Sequence, residues 1–141
     1  MAEEPGDEEE PPVTDPEPEP DPPLPNDDSI LYNIKKLIGM DYEYQAFDMD
    51  LTIHINSVFA TLNQLGIGPI DGFIITGYDE LWSDFTDSDK KLSSVKSLVY
   101  LRVKLQFDPP ETSYARDSMD KMAKEYEWRL NVYEEGIRHP L

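Results

Sequence analysis

The chain has 141 residues, with 30 Asp and Glu against 12 Lys and Arg, a net charge of −18, and no cysteine. That balance excludes disulfides and thiolate metal sites and argues against a surface built to grip phosphate. No apolar run approaches the roughly 18 to 20 residues needed to cross a bilayer.

The length suggests one domain, but the acidity is unevenly spread. Residues 1–28 carry 12 acids, 9 of the 13 prolines and no Lys or Arg; residues 29–141 carry the other 18 acids and all 12 bases. The net charge therefore divides into −12 for the tail and −6 for the rest. Val13 and Leu24 are the tail's only large aliphatic residues. It cannot bury enough apolar surface to offset its ordering entropy, so residues 1–28 read as disordered, and as locally polyproline-like through Pro16-Glu17-Pro18-Glu19-Pro20. Met1-Ala2-Glu3-Glu4-Pro5 lacks the basic and apolar regions of a signal peptide, which predicts a soluble, unexported protein.

Residues 29–141 form the expected folded domain. Asp28 or Ser29 caps a first helix in which Ile30, Leu31, Ile34, Leu37 and Ile38 recur at helical spacing, with Gly39 to end it. A tyrosine-containing connection leads to a second helix from about Asp48 to Leu65, closed by Gly66. Its stripe of Leu51, Ile55, Val58, Leu62 and Leu65 steps by four and three, as in a helix packed along a seam. Ile53 and Phe59 fall off that stripe and suggest a second contact surface. From 66 to 87 the helical period disappears, and the stretch reads as an irregular loop or a short β-hairpin turning near Gly77. A third helix, Ser88 to Phe107, is apolar on more than one face, the pattern of a bundle's central helix, with Arg102 and Lys104 reaching its rim. Asp108-Pro109-Pro110 then imposes a hard stop, because proline lacks a donor and forces the preceding residue out of the helical region. A fourth helix from Ser113 to Glu135 presents Tyr114, Met119, Met122, Tyr126, Leu130 and Tyr133, with Trp128 projecting elsewhere and Gly136 as its C-cap. The fold class is all-α: a small four-helix bundle with a loop or hairpin inserted at about 66–87.

No constellation in this chain carries chemistry. Paired acids such as Asp48 with Asp50, or Glu125 with Glu127, read as solvated surface. His54 and His139 are the only histidines, and His54 has no neighbouring ligand set, so no metal or cofactor is expected. Gly66-Ile67-Gly68-Pro69 has neither the spacing nor the lysine of a phosphate loop. No nucleophile with a base and an orienting acid can be picked out, so the chain is not expected to be an enzyme. Its bases Lys90, Lys91, Lys96, Arg102 and Lys104 lie among acids, against duplex binding. The aromatics are the better lead: Trp82 and Phe85 could act internally only if a loop reached into the core, and exposed Trp and Tyr are typical interface anchors.

Four segments resemble the head–tail connector, or adaptor, proteins of tailed bacteriophages. They are His54 to Gly66 (HINSVFATLNQLG), Trp82-Ser83-Asp84-Phe85, Val99 to Leu105 followed by Phe107-Asp108-Pro109-Pro110, and Glu127-Trp128-Arg129-Leu130-Asn131-Val132. The likeness covers about residues 29–135, in order. It implies a virion protein at the head–tail interface, assembled in the host cytoplasm as a homo-oligomeric ring, commonly of twelve copies, beneath the portal protein. Such a ring extends the DNA channel, lets DNA pass without specific binding, and offers a platform to the next connector or tail protein. By that analogy Phe73, Ile74, Ile75, Tyr78, Trp82 and Phe85 contact other subunits or the next ring, and Trp128 and Tyr133 dock on the portal or a neighbour. The acidic tail is not part of the family pattern. The alternative reading is an acidic regulatory module whose tail competes with DNA for a basic protein partner.

Overall fold

A computed structural model describes residues 23–138, so the expectation of a disordered tail falls largely on residues outside those described. The architecture is all-α: α1 (Ile30–Leu37), α2 (Asp48–Gln64), a short α3 (Trp82–Phe85), α4 (Asp89–Phe107) and α5 (Ser113–Arg138). Among the described residues no strand occurs, and the 66–87 insertion is a loop that ends in α3. Its one β-type pairing is an isolated antiparallel bridge between Leu81 and Ser29.

The local signals act as their chemistry dictates. The Ser29 hydroxyl accepts from the Tyr32 N–H at 3.4 Å and starts α1, and Gly39 and Gly66, both at positive φ, follow the ends of α1 and α2. Asp48 and Asp50 stand in the first turn of α2, where the helix dipole favours negative charge. The Ser88 hydroxyl caps α4 through the Lys91 N–H, and α4 stops at Phe107, two residues before Pro109. Gly136 does not end α5, which continues to Arg138. The last turns lean on α4, where Lys91 pairs with the buried Glu134, and this contact outweighs the modest helical cost of one glycine.

α4 is the central helix. It packs most extensively on α5 and next on α2, burying Val95, Leu98, Val99, Leu101 and Val103. From α5 it receives Ala123 and Leu130, and from α2 Leu51, Ile55, Val58 and Leu62. Each such Val, Leu or Ile side chain fully removed from water is worth about 1.5–3 kcal/mol. Arg102 crosses from α4 to α5 and donates to Asp120 at 2.8 Å and to Glu127 at 3.0 Å, so Glu127 is a structural partner rather than merely solvated surface.

The loop completes the core. Phe59, off the main stripe of α2, is ringed by Phe85 at 5.0 Å, Phe73 at 5.1 Å and Trp82 at 6.3 Å between centroids. Trp82 is fully buried with Nε1 unpartnered among the described residues, and the Lys96 ammonium lies over its ring. Irregular backbone cannot enter a core without partners for its N–H and C=O groups, and side chains supply them here. The Asn56 amide brackets Ile75, accepting from its N–H at 2.7 Å and donating to its C=O at 2.9 Å. The Glu80 carboxylate accepts from the Thr76 and Gly77 N–H groups and the Thr76 hydroxyl. Gly68, at φ +91°, passes so close to Phe85 that an added Cβ would stand 2.3 Å from the ring.

Two substitutions test this packing. Gly68→Ala is expected to cost about 2–4 kcal/mol, from a strained positive φ together with overpacking against Phe85. Asn56→Ala leaves a buried N–H and C=O unpaired and should cost about 2 kcal/mol or more. Urea midpoints from circular dichroism read both, and wild-type midpoints would refute the account of the loop.

Candidate interaction surface

The residues expected to mark a functional surface divide into two sets. Trp82, Phe85 and Ile75 are buried in the core just described, and Phe73 is half-buried against Phe59 and Phe85. Tyr78 is half-buried and turned inward. In this conformation these five serve the subunit's own packing and offer little to a neighbour. Ile74, between the pinned Ile75 and Phe73, points the other way and is 67% exposed. Trp128, at 64%, and Tyr133, at 41%, are open on α5.

Tyr78 belongs to a polar cluster around Lys35, which is completely buried. The Lys35 ammonium donates to the carbonyls of Tyr42 at 3.0 Å and Tyr44 at 2.7 Å, to Asp48 Oδ1 at 2.7 Å and to the Tyr78 hydroxyl at 2.8 Å. The Tyr78 hydroxyl in turn donates to Asp48 Oδ2 at 2.8 Å. Burial, then the hydrogen bond to Asp48 and its charge, push Tyr78 far above the ordinary tyrosine value of 10.0, so it stays a neutral donor. Asp48 is therefore the counter-ion of a buried lysine, not the solvated surface acid its spacing from Asp50 suggested. The signal for this site was in the sequence: Lys35 lies one turn after Leu31 and beside Ile34, on the apolar face of α1, where a lysine needs an internal partner.

Other shifts follow from contacts already described. Burial disfavours the Glu80 charge, but the donors of Thr76 and Gly77 outweigh it and hold the carboxylate below its usual range. Asp120 is lowered by hydrogen bonds from Lys124 and then Arg102. Both acids are engaged by structural donors. Among the described residues no group of His, Cys, Asp and Glu is placed to hold a metal ion, and no helix is long and apolar enough to cross a membrane.

Two groups stand out among the open apolar residues. On α2, Met49 and Ile53 are four residues apart on the side away from the buried stripe, and Met49, Ile53, Thr76 and Gly77 line one shallow groove. Ile74 adjoins this edge of the loop. On α5, Trp128 and Val132 are four apart and point opposite to Leu130 and Ala123, which face α4; Tyr133, though partly exposed, lies to the α4 side with its ring under the Lys91 ammonium. α2 and α5 both pack on α4, so the two groups belong to different helices on the central one. A charge division accompanies them: residues 37–89 contain ten acids and no Lys or Arg.

Comparison with protein-family models matches residues 30–137 to a family described as phage connector protein. Searches of curated proteins and of solved structures return no match.

The Lys35 cluster generates two expectations. Lys35→Met strands Asp48 and the Tyr78 hydroxyl and is expected to cost about 3–5 kcal/mol. Tyr78 has a folded pKa above its unfolded value, so its contribution is complete below about pH 10 and is lost as pH rises beyond it. Glu80 and Asp120 have lowered values, so theirs is present at neutral pH and lost as pH falls through those values. Urea titrations across pH should show both losses, and Tyr78→Phe should flatten the alkaline one. An alkaline limb that is identical in Tyr78→Phe would contradict this assignment.

Proposed function

This chain belongs to the phage connector protein family, and from that membership we propose that it assembles as a closed ring beneath the portal. There it joins head to tail and extends the channel through which DNA passes. Membership itself carries a structural part at the head–tail junction. The ring, its portal contact and the channel are the further reading. One observation supports them most: an isolated subunit leaves apolar groups open on two different helices, α2 and α5. Repeated head-to-tail contact buries both and closes if the rotation per copy allows.

In this reading Met49, Ile53 and Ile74 of one copy meet Trp128, Val132 and Tyr133 of the next, and twelve copies is the number the family resemblance implies. The ends of the ring, not its flanks, are then left for the portal and for the following connector or tail component. The base-free stretch from 37 to 89 favours DNA passage without binding, since an acidic wall offers no counter-charge to release ions from phosphate.

Purified protein, alone and mixed with portal from the same phage, should give rings or portal particles extended by one symmetric layer in light scattering and negative-stain images. Trp128→Glu and Ile53→Asp should each abolish assembly while helicity and the urea midpoint hold, because both side chains are exposed in the subunit. Rings that persist in both variants would refute the two-face contact, and a wild-type monomer with no portal affinity would refute the ring reading as a whole.

A further inference from the structure

The segment after α2 projects a tight turn. Gly72 donates its N–H to the Pro69 carbonyl at 3.0 Å, which closes a β-turn and puts Ile70 and Asp71 at its central positions. The Ile70 side chain is 96% exposed, the most open large apolar side chain among the described residues, and Asp71 beside it is exposed as well. Both ends of the turn are anchored: Gly68 lies against the Phe85 ring, and the Phe73 ring packs on Phe59 at 5.1 Å and on Phe85 at 5.4 Å. An isoleucine held out in water from an anchored base contributes nothing to its own subunit's core.

A groove of about 420 Å³ between α1 and α4 has the opposite character, with Lys36 and Leu37 on one side and Lys96 and Tyr100 on the other. In a chain of 30 acids against 12 bases, none of its lining residues is acidic. Among the described residues neither Lys36 nor Lys96 makes an ion pair, whereas Lys35, Lys91, Arg102, Lys104, Lys124 and Arg129 all do. Aromatic rings hold both ammonium groups in place: Lys36 Nζ lies 5.4 Å from the centroid of Tyr32 and Lys96 Nζ 5.6 Å from that of Trp82. Exposed Leu37 and half-buried Tyr100 supply the apolar surface of the groove.

We propose that this groove receives the Pro69-Ile70-Asp71-Gly72 turn of a second copy, with Ile70 against Leu37 and Tyr100 and the Asp71 carboxylate facing the Lys36 and Lys96 ammonium groups. Complementarity selects this occupant. The turn offers one apolar side chain and one anion, and it belongs to residues 37–89, which contain ten acids and no Lys or Arg. The groove offers an apolar surface and two cations without a counter-ion. The turn comes from another copy, because within its own subunit Ile70 stands almost wholly in water. Being anchored already, it loses little freedom on entering the groove. Turn and groove are different surfaces, so the contact runs head-to-tail and can repeat from copy to copy. It rests on the ring assembly proposed above and adds to it a second contact, made by neither Ile53 nor Trp128.

The chain has no cysteine, so single engineered ones report the contact by forming a disulfide, which needs close approach of the two backbones. Ile70→Cys protein is mixed in equal amount with Leu37→Cys protein under the conditions that give rings, oxidised with copper phenanthroline and read on a non-reducing gel. Light scattering follows assembly in the same samples, and circular dichroism verifies folding. The expected product is a disulfide dimer of the mixture, largely lost when Leu37→Cys is replaced by Tyr114→Cys, an open position on α5. On the unaltered chain, zero-length carbodiimide coupling should join Asp71 to Lys36 or Lys96, with the linked peptides drawn from different copies in a mixture of isotopically light and heavy protein. Rings that give neither product would overturn the turn-in-groove contact, leave the ring standing and assign the groove to a partner other than a second copy. Equal yields at Leu37 and Tyr114, or dimers formed as readily by Ile70→Cys alone, would also overturn it. A wild-type monomer in scattering, alone and with portal, would overturn the ring and this contact together.

Discussion

A buried ammonium fixes the relations among four parts of this molecule. Lys35 comes from α1, its carbonyl acceptors from the connection that follows, Asp48 from the start of α2 and Tyr78 from the loop after α2. Only one arrangement of these segments satisfies the charge, and any other strands it in a medium where an unpaired ion is severely disfavoured. A pair of this kind adds little net stability compared with a well-packed apolar replacement, because both ions lose their water. Its contribution is to geometry: with Tyr78 held at one end and Trp82 and Phe85 sunk at the other, the loop has a single course across the bundle.

The loop makes sense as a lid on the aromatic end of the core. α2 turns Phe59 out of its own stripe, toward the 66–87 insertion. Phe73 from the loop and Trp82 and Phe85 from the short α3 cover it. Side-chain ligation by Asn56 and Glu80 replaces the missing ladder, giving polar partners to the backbone of a stretch punctuated by glycines.

Much of this was legible in the sequence. Helical period, Ser29 and Ser88 as caps, and the Pro109-Pro110 stop located the long helices closely, because those signals act within a few residues. The central position of α4 followed from its apolar residues on several faces, and the family from segments spread along 29–135. What stayed hidden depends on distant partners. Lys35 stands on the apolar face of α1, but its partners are not named by any local signal, since Tyr78 lies 43 positions away. Trp82 and Phe85 have no periodicity to reveal which way they face, so their size suggested an interface while their burial serves the core. Gly136 carries a stop signal that the contact of the last turns with α4 overrides. The exposed set of Ile74, Trp128 and Tyr133 is the portion of the expected surface that remains open to a partner.

Ile74 is presented by its neighbour. It projects outward because Asn56 grips Ile75 from the opposite side, and that grip exists only when α2 is formed and the aromatic lid is closed. The outward face and the interior are therefore two readouts of one equilibrium: a chain that has not finished folding does not display the surface at all.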